Sequence, residues 1–74
     1  MTVDHDVPTL SDEKYWATCR ERTIVAATAN GHRDVFPCAE MIVKDGWVTF
    51  TRDDVEVWNC SARYAASHFD VQSA

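Results

Sequence analysis

Two short turn signals, Asp45-Gly46 and Asp53-Asp54, divide the second half of the chain into three apolar, β-branched segments. Asp-Gly between such segments is a preferred two-residue hairpin turn, and Asp-Asp also favours a turn. The segments 35–44, 47–52 and 55–60 are therefore predicted strands, with Pro37 confining the start of the first to an edge or a bulge. A two-residue turn fixes the register of a hairpin, so this sequence predicts a β-meander with two defined faces.

The predicted register pairs Met41 with Phe50, Phe50 with Val57 and Thr49 with Trp58. One face then carries an apolar set, which we assign to the core: Met41, Val43, Val48, Phe50, Val55 and Val57. The other face carries a mixed set: Glu40, Ile42, Lys44, Trp47, Thr49, Thr51, Glu56, Trp58 and Cys60.

The first part of the chain has weaker signals. Residues 1–10 are polar, carry Pro8 and show no hydrophobic periodicity, which predicts a flexible acidic arm. Residues 11–74 are predicted to form a single small β-rich domain. Ser11 followed by acidic residues predicts a helix over residues 11–21. Residues 23–28 are β-branched and apolar, and they stop at Asn30-Gly31, which predicts a strand ending in a tight turn.

After the meander, residues 61–67 favour a single helical turn and residues 68–72 a short final strand. The predicted fold class is therefore α+β and mainly β: a short N-terminal helix plus a twisted antiparallel β-meander of four or five strands. This order of elements is found in small SH3-like barrels, so a barrel of that type is the finer expectation. A chain of 74 residues has room for one small core.

Charge and hydrophobicity disfavour several classes of function. The net charge is −5 and the seven Lys and Arg residues are scattered, whereas binding to a phosphate backbone needs clustered cations. No apolar stretch approaches the roughly 20 residues that span a bilayer, and the acidic start carries no apolar run typical of a signal peptide. The sequence predicts a cytoplasmic protein without membrane contact.

The cysteines and histidines do not predict a metal site, a cofactor site or an active site. Cys19, Cys38 and Cys60 are too widely spaced for the close ligand pairs of structural zinc, and their odd number disfavours a disulfide framework. Cys60, His68 and Asp70 are a nucleophile, a base and an acid, but no glycine-rich loop or oxyanion signature accompanies them. We expect no cofactor, no small-molecule substrate and no enzymatic activity.

The mixed face of the meander is the predicted binding surface. Ile42, Trp47 and Trp58 supply an apolar patch, and such patches rimmed by charge usually mark a partner. The predicted rim consists of Lys44, Glu40 and Glu56.

This face has two other possible uses. The N-terminal helix could lie across it, with Tyr15 and Trp16 packed on its tryptophans, and the binding surface would then lie elsewhere, for example at the acidic turn Asp53-Asp54. A second copy of the chain could also share the face and so enlarge a small core.

The function predicted from the sequence is a non-enzymatic protein-binding or inhibitory module that occupies the surface of a partner protein. Short acidic chains of this kind are typical of accessory proteins of phages and mobile elements. One alternative is a structural or assembly subunit that works as a homo-oligomer. The other is an acidic mimic of nucleic acid, for which Asp4, Asp6, Asp12, Glu13, Asp53, Asp54 and Glu56 would supply the charge.

Overall fold

The computed structural model describes residues 10–74, which form five strands and two short helices. In chain order these are β1 (Lys14–Cys19), α1 (Ile24–Ala29), β2 (Cys38–Lys44), β3 (Trp47–Arg52), β4 (Val55–Ser61), α2 (Ala62–His68) and β5 (Phe69–Ser73). The predicted flexible arm lies outside the described residues except for Leu10, which packs partly buried against the core.

All five strands belong to one antiparallel sheet with the order β4-β3-β2-β1-β5. A mainly β, α+β fold is therefore confirmed. The sheet is open, with β4 and β5 at its two edges, so a closed barrel of SH3 type is not confirmed. Within residues 10–74, neither helix is long and apolar enough to cross a membrane.

The open sheet is strongly curled, because α2 directly joins its two edge strands. Five strands of a flat sheet place the edges about 19 Å apart, whereas a helix of seven residues is only about 10 Å long. The edge strands therefore bend toward each other around the core. Phe69 on β5 consequently reaches Trp58 on β4, with 6.1 Å between their ring centroids.

The two hairpin turns and the register of β2 with β3 are as predicted. Lys44 pairs with Trp47 and Met41 with Phe50. Asp45 and Gly46 both have positive φ (52° and 79°), as do Asp53 and Asp54 (55° and 66°). Positive φ at both central residues is the signature of the type I′ turn, whose twist matches that of the flanking strands.

The predicted register of β3 with β4 is wrong beyond the turn because of a β-bulge. Arg52 pairs with Val55 as expected, but the register then shifts by one residue, and Phe50 faces Trp58 instead of Val57. A bulge inserts one extra residue into one strand. The shift moves Trp58 and Cys60 from the predicted mixed face to the core side. Val55, assigned to the core from the sequence, is 63% exposed although its pairing with Arg52 is as predicted, because it lies directly at the turn.

The predicted N-terminal helix over residues 11–21 is also wrong, since β1 occupies the middle of that segment. Its side chains alternate strictly between exposed and buried, with Tyr15, Ala17 and Cys19 on the buried side. β1 pairs with β2 on one side and β5 on the other. The ladder on both sides outweighs the local capping signal at Ser11, whose hydroxyl instead donates to Glu13 Oε2 (2.7 Å).

The predicted strand over residues 23–28 is replaced by α1. The Thr23 hydroxyl caps this helix by accepting a hydrogen bond from the Ala26 amide (3.1 Å). Alanine is the best helix former, and the packed side of this short helix needs only the small buried Ala27. Asn30-Gly31 therefore ends a helix and does not turn a hairpin.

The last two predictions, a helical turn and a short strand, are confirmed as α2 and β5, each displaced by about one residue. Ser61 caps α2 by accepting from the Tyr64 amide (3.1 Å).

The core lies on one face of the sheet, here called the inner face. Its buried apolar side chains come from every strand, and α2 contributes Ala62 and Ala65. The fully buried large side chains are Phe50, Phe69, Met41, His32, Val35, Val43 and Val48. The opposite face of the sheet is here called the outer face.

Candidate functional site

The outer face exposes three large apolar side chains on three adjacent strands. Trp16 of β1 and Ile42 of β2 are each 41% exposed, and Trp47 of β3 is 51% exposed. Ile42 pairs with Lys14 on one side and Thr49 on the other, so both tryptophans are its diagonal neighbours. Such neighbours lie about 7–8 Å apart, and the three side chains therefore form one diagonal apolar stripe.

Charged residues flank this stripe. Lys44 pairs with Trp47, and Glu40 pairs with Trp16 across the neighbouring strand. Lys14 Nζ lies 4.0 Å from Glu40 Oε2, a contact between two largely exposed side chains. Glu56 pairs with Thr51 near the edge of the sheet. The structure thus brings Ile42, Trp47, Lys44 and Glu40 together as predicted.

Trp58, in contrast, does not belong to this surface. It lies on the inner face, partly buried, with its ring 5.4 Å from that of Phe50 and 5.9 Å from that of Tyr64. The bulge in β4 is responsible, because it reverses the side of the sheet to which Trp58 points. Asn59 pairs with Thr49 in place of Trp58, and the second exposed tryptophan of the outer face is Trp16, which lies on β1.

A notch of about 310 Å³ opens beside Trp16, between β1, β2 and the turn that joins β3 to β4. Its walls are Trp16, Cys38, Ala39, Glu40, Thr51, Arg52, Asp53 and Asp54. The predicted acidic tip Asp53-Asp54 and the predicted rim residue Glu40 therefore lie around one concavity, next to the apolar stripe.

The only cationic side chain in the notch wall, Arg52, is held by the loop that precedes β2. Its guanidinium donates to the carbonyl oxygens of Asp34 (3.1 Å), Val35 (3.0 Å) and Cys38 (2.7 Å). A guanidinium engaged by several backbone carbonyls is fixed in place, so Arg52 is a structural clamp between β3 and that loop.

A second polar feature lies on the other side of the molecule, where Glu21, His32 and Tyr64 form a hydrogen-bonded chain. His32 Nδ1 lies 3.0 Å from Glu21 Oε2, and His32 Nε2 lies 2.6 Å from the Tyr64 hydroxyl. Asn30 Nδ2 donates to the same glutamate oxygen (2.8 Å). A carboxylate, an imidazole and a hydroxyl in this order are the arrangement that activates nucleophiles in enzymes.

Burial indicates that the hydrogen-bonded network of Glu21, His32 and Tyr64 stabilises the fold. His32 is only 2% exposed, and both of its ring nitrogens already have a partner. Hydrogen bonds from Asn30 and His32 lower the pKa of Glu21, so it stays charged, while burial raises the pKa of Tyr64, so its phenol stays protonated. The three side chains come from the segment after β1, the loop after α1, and α2, and the network ties these together.

The residues that resemble a nucleophile, a base and an acid in the sequence each contact other groups. Cys60 is buried opposite Val48, and Asp70 Oδ1 pairs with Arg20 Nε at 3.1 Å. The His68 ring stacks on Tyr64 with 3.9 Å between centroids. Among residues 10–74, no group of three or more His, Cys, Asp or Glu side chains is arranged to hold a metal ion.

The three thiols differ in burial, which gives a first prediction. All are free, and burial raises the pKa of both Cys19 and Cys60 to about 11, while Cys38 lies half-buried in the notch wall. Because the thiolate is the reacting species, we expect Cys38 to be alkylated by iodoacetamide at pH 8 at least ~10-fold faster than the other two. Time-resolved mass spectrometry of the modified peptides measures this rate ratio. After unfolding in denaturant all three rates should become similar, whereas equal rates in the folded protein would contradict the burial of Cys19 and Cys60.

Two features of these sites were missed by the sequence analysis. Trp16 belongs to the outer face, and the available signal was the period-two apolar series Tyr15, Ala17 and Cys19 on the other side of the same segment. The Glu21–His32–Tyr64 network had no sequence signal, since its members are 11 and 32 residues apart.

Comparisons of the chain with protein-family models, with curated proteins and with solved structures find no match.

Proposed function

We propose that this chain is a non-enzymatic protein-binding module whose outer face docks on the surface of a partner protein. The observation that carries the proposal is the stripe of Trp16, Ile42 and Trp47, three large apolar side chains exposed side by side on a rigid sheet. Tryptophan is enriched among the residues that dominate binding energy, and contiguous exposed apolar patches mark interaction sites.

The arrangement of the stripe resembles that of a protein interface. The large apolar groups lie at the centre, on β1, β2 and β3, while charged residues such as Lys14, Glu40 and Lys44 lie beside them. An apolar centre with a polar rim is typical of specific interfaces. The strands on both sides support this surface, so docking needs no ordering of a loop and loses little entropy.

The other proposals are less well supported. An enzymatic role has to use the Glu21–His32–Tyr64 chain, but His32 is almost fully buried and already engaged at both nitrogens. A homo-oligomer has to bring together two copies of a chain with a net charge of −5, and this repulsion opposes self-association.

The test compares two alanine variants that remove similarly exposed side chains from different surfaces. Trp47→Ala truncates the stripe, whereas Val25→Ala truncates α1, where Val25 is 75% exposed. Partners are first captured from a lysate on immobilised wild-type protein, identified and purified, and their affinity for each variant is then measured by calorimetry. We expect Trp47→Ala to weaken binding at least ~30-fold, corresponding to the 2 kcal/mol of a hot spot, and Val25→Ala to leave it unchanged.

Two outcomes contradict the proposal. Equal affinity of the wild type and Trp47→Ala for the purified partner would exclude the stripe as the docking surface. A solution mass that doubles with concentration in the wild type but not in Trp47→Ala would establish the homo-oligomer instead. Thermal unfolding of both variants controls for loss of structure, since both side chains are exposed and neither should change the melting temperature by more than a few degrees.

A further inference from the structure

The notch beside Trp16 has a shape and charge that favour one class of ligand group. Its volume of about 310 Å³ lies at the small end of the range for small-molecule pockets, about 300–1,000 Å³. One long side chain is therefore a suitable occupant, and a whole cofactor is not. The notch is continuous with the apolar stripe, because Trp16 belongs to both.

The charge of the notch is negative. The acidic residues Glu40, Asp53 and Asp54 line it, together with one cationic residue, Arg52. The Arg52 guanidinium donates to the carbonyl oxygens of Asp34, Val35 and Cys38, as described above, so these hydrogen bonds are already made within the protein. Since Lys14 Nζ lies 4.0 Å from Glu40 Oε2, the negative charge that a cationic group meets in the notch comes mainly from Asp53 and Asp54.

The aromatic wall adds a second preference for a cation. Trp16 is 41% exposed, and indole is the best of the aromatic side chains at attracting a cation over its face. Arginine fits this combination better than lysine does, because its planar guanidinium stacks on an aromatic ring while its fork of N–H groups donates to a carboxylate.

We propose that the notch binds an arginine side chain that the partner protein presents next to the apolar surface it lays on the stripe. This inference rests on the proposed function, and it specifies the partner: a surface with an exposed arginine beside an apolar patch. The stripe then supplies most of the affinity, and the notch selects partners by charge and by the planar shape of the guanidinium.

The inference is tested on the full chain with a probe that needs no knowledge of the partner. The probe is the blocked tripeptide acetyl-Gly-Arg-Gly-amide, and its control carries citrulline, which has nearly the shape of arginine but no charge. Binding is followed in ¹H–¹⁵N spectra, where the indole N–H groups of Trp16, Trp47 and Trp58 report separately. We expect the arginine peptide to shift the Trp16 indole signal and the amides of Asp53 and Asp54 saturably, with an affinity at least ~10-fold above that of the citrulline peptide.

A double variant separates the carboxylates from the fold. Asp53 and Asp54 both have positive φ, which asparagine tolerates, so Asp53→Asn with Asp54→Asn removes two charges and retains the turn. This variant should bind the arginine peptide several-fold more weakly at an unchanged melting temperature. Glu13→Gln is the matched control, since Glu13 is exposed and does not line the notch, and it should bind like the wild type.

Three outcomes overturn the inference: equal shifts with arginine and citrulline, a response at the Trp47 or Trp58 indole without one at Trp16, or undiminished binding by the double variant. None of these three outcomes affects the affinities of Trp47→Ala and Val25→Ala for a purified partner, which test the docking surface separately. Failure of the arginine notch is therefore distinguishable from failure of the docking surface.

Discussion

Replacing Phe50 with alanine should lower the free energy of unfolding by roughly 3–5 kcal/mol, the usual cost of truncating a buried aromatic side chain. Phe50 is completely buried at the centre of the inner face, where its ring lies 5.2 Å from that of Phe69 and 5.4 Å from that of Trp58. These partners come from both edges of the curled sheet. The variant therefore loses the contact around which the edges close, and a domain of this size should be largely unfolded by it.

Thr49→Ala is the matched control for Phe50→Ala. Thr49 is the preceding residue on the same strand and lies on the outer face, so its truncation should change the free energy of unfolding by no more than about 1 kcal/mol. Urea titrations followed by tryptophan fluorescence measure both values. A large loss in Thr49→Ala with little loss in Phe50→Ala would mean that the two faces of the sheet are exchanged.

Replacing His32 with alanine should cost a similar amount, roughly 3–5 kcal/mol, for a different reason. Removing one member of a buried, hydrogen-bonded pair leaves the other without its partner, and the remaining charge is then costly to bury. Glu21, whose side chain is only 10% exposed, would keep Asn30 as a donor but lose His32, and the Tyr64 hydroxyl would lose its 2.6 Å contact. The other carboxylate oxygen of Glu21, Oε1, is already buried without a hydrogen-bond partner. The network therefore has no spare donor to replace His32.

His68→Ala is the control for this variant. His68 stacks on Tyr64 but is exposed, and its ring Nδ1 contacts the backbone carbonyl oxygen of Tyr64 (3.1 Å) and not the Glu21, His32 or Tyr64 side chains, so its loss should cost about 1 kcal/mol or less. Chemical denaturation gives both free energies. A cost for His32→Ala that is no larger than that of His68→Ala would show that the Glu21–His32–Tyr64 chain does not stabilise the fold, and a role in binding or chemistry would then have to be sought for it.

The hairpins show which parts of the fold were predictable. Asp45-Gly46 and Asp53-Asp54 are local signals, because the φ angles of a type I′ turn depend on the turn residues themselves. The strands next to these turns, and the register of β2 with β3, follow from them. The bulge in β4 does not, since it forms where Trp58 and Cys60 join the core side of the sheet, and that depends on what packs against it.

Residues 11–30 show the opposite case, in which the local signals were misleading. Ser11 with two acidic residues resembles a helix start, and the β-branched run from Thr23 resembles a strand, yet the structure has β1 and α1 at these places. Helix and strand propensities differ by only fractions of a kcal/mol per residue. Pairing of β1 with two neighbouring strands, and the capping of α1 by Thr23, outweigh them.

The binding surface was accordingly predicted only in part. The sequence by itself determined that Ile42, Lys44 and Trp47 share one face, because a two-residue turn leaves no other pairing. Only the tertiary structure decided that Trp16 joins them, that Trp58 does not, and that Glu40 lies in one notch with Asp53 and Asp54. The physical reason is the range of the interactions: a turn is specified by adjacent residues, whereas strand neighbours and bulges are selected by burial of side chains that lie far apart in the chain.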